Sequence, residues 1–141
     1  LATILRAGLG MHSGLLNYFD RADSAFISAY RKYSSKESFD IHVEYLASPN
    51  IDGKTLIISD PMLATGNSMA MVYKSLLSHG KPCKLIIVSA IATPKALKFL
   101  EKELPKYTTY YIGAIDSELT AESYIFPGLG DAGDLAYGTK I

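Results

Sequence analysis

A single α/β domain, with a mostly parallel central sheet flanked by helices and a small antiparallel β ribbon, is the fold this sequence predicts. Three observations carry the expectation. Apolar, β-rich runs alternate with segments of helical spacing along the whole chain. Two of those runs, "TLIIS" and "KLIIVSAIA", are apolar without alternation, as strands covered on both faces are. A third, "FDIHVEYLA", alternates: Phe39, Ile41, Val43 and Tyr45 on one side, Asp40, His42 and Glu44 on the other. Period two means a strand with one wet face, an antiparallel ribbon off the main sheet.

Taken in order, "ATILR" (Ala2 to Arg6) reads as a strand, followed by the glycine turn "AGLG" and a helix near Met11 to Phe19. "AFISAYR" (Ala25 to Arg31) is the next strand, and "KYSSKES" a polar loop. After "TLIIS", the spacing of Met69, Val72, Tyr73, Leu76 and Leu77 predicts a helix over Met69 to His79, stopped at Gly80. "TPKALKFLEKEL" offers Thr93 as N-cap and Pro94 as first helical residue, with Pro105 as the stop. "TTYYIGAI" is a further strand, and the tail from Ser117 to Ile141 reads as loop-rich. One domain covers 1–141. The chain opens without Met and enters a strand at once, so an N-terminal portion is expected to precede it.

The bulk numbers fit an ordinary globular protein: 141 residues, 48% hydrophobic and 20% charged. Fourteen basic residues balance fourteen acidic ones, which gives no footprint for nucleic acid or an anionic membrane. The longest strongly apolar run, "LIIVSAIA", falls far short of the roughly 20 residues needed to cross a bilayer. Cys83 is the single cysteine, which excludes an internal disulfide and a cysteine-built zinc site and suits a cytoplasmic setting. Cys83 itself is expected as a small buried or half-buried apolar residue.

Between Ser59 and the helix that ends at Gly80 lies the stretch richest in chemistry, "DPMLATGNS". It follows the carboxyl end of a strand, where ligands of open α/β sheets sit. Ala64, Thr65, Gly66, Asn67 and Ser68 are small and lead into a helix, so their N–H groups can converge on a dianion. Thr65 and Ser68 add hydroxyl donors, and Gly66 can adopt positive φ. Asp60 would repel a phosphate it touched. A carboxylate for a diol beside an N–H cradle for a phosphate is the pattern a ribose 5-phosphate requires. On the residues alone, a turn merely capped and shaped by Asp60, Thr65 and Ser68 explains the stretch equally well. It is neither a Walker loop nor a G-x-G-x-x-G fingerprint.

"DPMLATGNS" resembles the phosphoribosyl pyrophosphate (PRPP) loop of type I phosphoribosyltransferases, in the variant of the uracil phosphoribosyltransferases. "ILRAGLGM" (Ile4 to Met11) and "YIFPGLGDAGD" (Tyr124 to Asp134) are similar to two further blocks of that family, in the same order and with fitting spaces. The resemblance covers essentially the whole chain. It implies transfer of ribose 5-phosphate from PRPP to N1 of uracil, giving UMP and pyrophosphate, on a type I phosphoribosyltransferase fold. It implies that Arg6 and Arg31 contact PRPP, as always-charged donors suited to a diphosphate. Without it, either arginine reads as an exposed salt-bridging residue. Asp60, Pro61, Met62, Leu63, Ala64, Thr65, Gly66, Asn67 and Ser68 would hold the ribose and its phosphate. Ile125, Gly130, Asp131 and Ala132 would line the uracil site, with Asp131 also reaching PRPP; Asp60, Asp131 and Arg6 would carry the catalysis. A glycine-rich loop suits uracil, whose edge pairs with backbone carbonyl and N–H groups. On composition alone, "PGLGDAGD" is equally a flexible acidic surface loop.

The resemblance further implies Mg²⁺ bound chiefly through PRPP, without direct side-chain ligation, a homodimer or larger homo-oligomer, and GTP control in some members. Two departures stand out. Asn67 occupies a second glycine position and is expected to tolerate left-handed φ there, and nothing matches the family's N-terminal segment. Other readings are a transferase for another base, and a PRPP- or UMP-sensing module without turnover. Among the histidines, His79 is expected at a helix C-terminus, His42 on a solvent-facing strand, and His12 beside the Arg6 turn, with contact to diphosphate the lesser of its two readings and a structural role the main one.

Overall fold

The computed structural model of the chain describes residues 1–33, 39–121 and 123–140, with the backbone alone over 30–33 and 39–42. Of the expected loop at 32–38, the part from 34 on lies outside the described residues. The strands are β1 (Ala2–Leu5), β2 (Ala25–Tyr33), β3 (Phe39–Ala47), β4 (Thr55–Ser59), β5 (Met62–Leu63), β6 (Lys84–Ala92), β7 (Thr109–Ile115), β8 (Glu118–Leu119) and β9 (Ile125–Phe126). The helices are α1 (Leu9–Leu16), α2 (Asn67–Leu76), α3 (Pro94–Glu103) and α4 (Ala132–Tyr137).

Seven strands form one sheet in the order β3-β2-β1-β4-β6, with β5 and β7 also on β6. Ile91 and Ala92 of β6 pair with Met62 and Leu63 of β5 and with Ala114 and Ile115 of β7, so those strands flank β6 on opposite sides. β5 therefore continues β4 beyond the break at Asp60 and Pro61. Every pairing in the sheet is parallel except β2 with β3. A separate antiparallel pair joins β8 to β9.

The central strands lie where their apolar runs require. Ile58, Leu85 and Ile87 are fully buried, and Val72, Leu76 and Leu100 of α2 and α3 pack into the same core. Thr93 caps α3: its Oγ1 accepts the Ala96 N–H at 3.0 Å, with Pro94 as first helical residue. α2 begins two residues before the expected Met69, and its end tightens into a 3-10 turn over Leu77–His79. Gly80 follows with φ 125°, where a Cβ would come within 2.5 Å of the Asp52 nitrogen. α1 starts at Leu9 rather than Met11 and ends at Leu16 rather than Phe19, leaving Tyr18 and Phe19 exposed.

β3 departs from its expected phase. Ser28 pairs with Tyr45, but Ala29 pairs with Val43, so Glu44 is an extra residue in β3. This bulge shifts the alternation: Val43 and Leu46 pack on the core and Tyr45 is exposed. The ribbon stays joined to the main sheet at its edge, through β2. In the tail, the expected loop contains β8, β9 and the six-residue α4.

Candidate active site at the switch point of the sheet

From β1 the chain moves to β2 and β3 on one side; it then returns past β1 to β4 and proceeds to β6 and β7 on the other. The order thus reverses between β1 and β4, and ligands of open α/β sheets bind outside the carboxyl ends at such a point. Arg6 follows β1 directly, and Asp60 follows β4. A cleft of about 620 Å³ opens there, lined by Ala7, Ala29, Asp60, Met62 to Gly66, Ser68, Met69, Ser123, Tyr124, Asp131 to Gly133 and Lys140.

Its floor is close-packed backbone. A Cβ on Gly8, in the turn after β1, would lie 2.2 Å from Thr3 Oγ1 and 2.9 Å from the carbonyl oxygens of Ile4 and Ser59. Only glycine lets this turn close over the ends of β1 and β4.

The wall formed by the segment from Asp60 to Ser68 is held from behind. The Asp60 N–H donates to Val88 O at 3.1 Å, and the Thr93 N–H to Leu63 O at 3.0 Å. Thr93 Oγ1, besides capping α3, donates to Ala64 O at 2.7 Å. Gly66 then turns the chain into α2 with φ 81°, and a Cβ there would meet Leu100 Cγ at 3.0 Å and Ala96 O at 3.1 Å. α2 has no acidic residue in its first turn, so its unpaired N–H groups present partial positive charge beside the cleft. Asp60 faces that end with one local donor, the Met62 N–H at 3.3 Å from Oδ1. Burial outweighs that bond and pushes the Asp60 pKa from 3.8 up to about 7.

The opposite wall comes from the tail. Asp131 caps α4 by accepting the Asp134 N–H on Oδ1 at 2.8 Å, while Tyr124 OH lies 3.5 Å from Oδ2. Arg6 binds across the cleft mouth: Nη2 to Asp134 Oδ1 at 2.5 Å and Nη1 to Gly138 O at 3.0 Å. Lys140 Nζ stands 3.9 Å from Asp131 Oδ2 and 4.0 Å from Asp134 Oδ1.

Of the residues expected in the site, Asp60, Met62, Leu63, Ala64, Thr65, Gly66, Ser68, Asp131 and Ala132 come together around this cleft. Pro61 and Asn67 belong to the same segment but do not line it. Ile125 is buried in β9, and Gly130 lies one residue before the lining. Arg6 is beside it, paired with Asp134. The backbone of Arg31 lies in β2, and its side chain is outside the described residues.

Two expectations are corrected, for Asn67 and Cys83, and the lesser reading of His12 is not met. His12 is 2% exposed, with Nε2 3.1 Å from Ser24 Oγ and its ring against Phe26, so it faces the back of the sheet rather than the cleft. Burial lowers its pKa, which keeps it neutral. Asn67 needs no left-handed φ, because Gly66 takes that conformation and Asn67 is already helical. Cys83 is exposed, in the turn ahead of β6. The tail residues Ser123, Tyr124, Gly133 and Lys140 were not anticipated as lining. Among the described residues, no three His, Cys, Asp or Glu side chains converge as a metal cage would, and no helix is long and apolar enough to cross a membrane.

The family model for uracil phosphoribosyltransferase matches residues 1–139. The chain belongs to the uracil phosphoribosyltransferase family. A curated uracil phosphoribosyltransferase of Porphyromonas gingivalis is 58% identical over all 141 residues, which span 65% of that relative's length. A solved protein structure from Aquifex aeolicus matches with TM-score 0.88 and 36% identity, over 99% of this chain and 65% of that one. A hypoxanthine phosphoribosyltransferase from Staphylococcus aureus shares the fold, with TM-score 0.62 at 22% identity over 84% of this chain and 61% of that one. The three sequence blocks of the uracil phosphoribosyltransferase family thus meet at one place: two build facing walls of the cleft and the third its floor.

Proposed function

We propose that the protein transfers ribose 5-phosphate from PRPP to N1 of uracil, forming UMP and pyrophosphate. The observation that carries this reading is the switch-point cleft, with a carboxylate at the end of β4 beside the amide-rich start of α2. In the proposed complex the N–H groups and hydroxyls of Thr65 to Ser68 bind the 5-phosphate, and Asp60 accepts hydrogen bonds from the ribose hydroxyls. Arg6 and Arg31 contact the diphosphate. The loop from Ile125 to Ala132 presents backbone groups to uracil. A base lacking the matching donors would leave buried groups unpaired.

The C1–O bond to diphosphate breaks ahead of N1–C1 bond formation, with its bonding pair leaving on pyrophosphate; N1 of uracil then bonds C1 and its proton passes to water or to the departing pyrophosphate. The sugar carries positive charge between these events. Asp60 and Asp131 stabilise it electrostatically, and the protein's remaining contribution is positioning, without a covalent intermediate. In this reading Mg²⁺ is held largely by the phosphate oxygens of PRPP and water, without direct side-chain ligation. When bound, that ion would offset the charge of the leaving diphosphate. A cytoplasmic homodimer or larger homo-oligomer, with GTP as an effector, completes the proposal. The exposed apolar side chains of Tyr111 and Ile115 on β7 offer surface for such contacts.

The test is full-length protein with uracil, PRPP and Mg²⁺, against parallel reactions with cytosine, hypoxanthine and orotate. UMP and pyrophosphate are expected from uracil alone. Turnover of a different base would reassign the substrate, and PRPP binding without any product would point to a sensor.

A further inference from the structure

Lys140 belongs to none of the three family blocks that defined the site, yet it lines the cleft. Among the described residues it is the one basic side chain that does so, alongside the carboxylates of Asp60 and Asp131. Two lysines elsewhere are committed to short pairs: Lys54 to Asp23 and Lys74 to Glu103, each at 2.5 Å. Lys140 is held differently. Its two carboxylate contacts, at 3.9 and 4.0 Å, exceed hydrogen-bond length, and its side chain is 65% exposed. Pairs of that kind contribute little, so moving the ammonium costs little. The second of them falls on Asp134 Oδ1, the same oxygen that binds Arg6 Nη2. Two cations therefore gather on one carboxylate at the cleft mouth.

We propose that Lys140 is a substrate-binding residue, which with Arg6 grips the diphosphate of PRPP, Asp134 tying down Arg6 beforehand and keeping Lys140 only loosely nearby. This rests on the transferase reading above. A diphosphate is a stronger and more highly charged acceptor than a single carboxylate, and it has oxygens enough for both side chains. Arg6 supplies a rigid fork; Lys140, on its flexible stem, supplies a mobile point charge that follows the leaving group. Lys140 takes no part in the base site.

Lys140→Met and Lys140→Arg test this in the full-length protein. Lys140→Met should raise KM for PRPP by about tenfold with KM for uracil unchanged, and Lys140→Arg should restore most of the loss. Calorimetry with Mg²⁺ and inorganic pyrophosphate gives a readout independent of turnover: affinity should fall about tenfold in the Met variant. Because Lys140 is exposed, both variants should melt with the parent protein. Unchanged PRPP and pyrophosphate affinity in Lys140→Met, in a parent that makes UMP, overturns the role of Lys140 and leaves the transferase reading standing. A rise in KM for uracil instead would also overturn it. A parent that makes no UMP fails the transferase reading itself, and pyrophosphate titration still decides whether Lys140 binds a diphosphate.

Discussion

At Asp60 a carboxylate at the end of β4 has one backbone donor, the Met62 N–H, set against burial that pushes its pKa up to about 7. Because the folded-state value lies above the ordinary 3.8, its contribution to stability is full at acid pH and declines as pH rises through about 7. In the proposed complex function runs the other way, since the ionised form would be the better acceptor for ribose hydroxyls. We expect kcat/KM for PRPP to rise with pH through about 7. Asp60→Asn should flatten that limb and lower kcat/KM by about tenfold or more. A pH–rate profile of both proteins decides this. Asp131 allows a cleaner separation of charge from structure. Asn is as good an N-cap as Asp, so Asp131→Asn should keep α4 and the melting temperature. Its turnover should nevertheless fall by more than about tenfold if the charge acts on the substrate. The Asp60 carboxylate was legible from its place after an apolar strand. Its raised pKa was not, because the desolvation that causes it arises only in the packed fold.

Among the elements, the segment from Asp60 to Ser68 depends on supports in α3. Thr93→Ala would remove both the cap of α3 and the hydrogen bond to Ala64 O, at a cost of about 1–2 kcal/mol read by urea unfolding. Gly66→Ala places a Cβ at positive φ and within 3.1 Å of Ala96 O, so the start of α2 must shift. We expect KM for PRPP to rise about tenfold or more, while KM for uracil changes little. Local signals made this region readable in advance: Thr93-Pro94 announces a helix start, and small residues after a buried strand announce a turn. α4 and the β8–β9 pair carried no such signal. Two-residue strands have no period, and "AGDLAY" is too short and too glycine-flanked to show one. The bulge at Glu44 likewise left the alternation of β3 intact on paper while reversing it beyond Val43.

Across the whole molecule, Arg6 and Asp134 are 128 positions apart and meet at 2.5 Å. That contact ties the first turn to the last helix, and periodicity cannot reveal it. Lys140 was missed for the same reason, since only the packing of the tail brings it to the cleft. Arg6→Ala should lower turnover by more than about tenfold, with the secondary structure intact by circular dichroism. A parallel fall in turnover for Asp134→Ala would show that the tie, and not the guanidinium alone, matters. The sheet itself was far easier to read. Ile58, Leu85 and Ile87 are fully buried on one face of β4 and β6, while Ile57, Ile86 and Val88 on the other are only half-buried. The unbroken apolar runs thus placed these central parallel strands correctly but overstated the cover on their second face.

Cys83 lies at the entrance of β6, whereas the cleft lies beyond the exits of β1 and β4, parallel neighbours in the same sheet. Ser59, at the exit of β4, pairs with Val88, five residues past Cys83, which sets the sulfur and the near edge of the cleft roughly 15 Å apart along β6. A thiol-reactive dye or a gold surface joined to this sulfur would hold the molecule by its blunt end, with its mouth open to solution for titration.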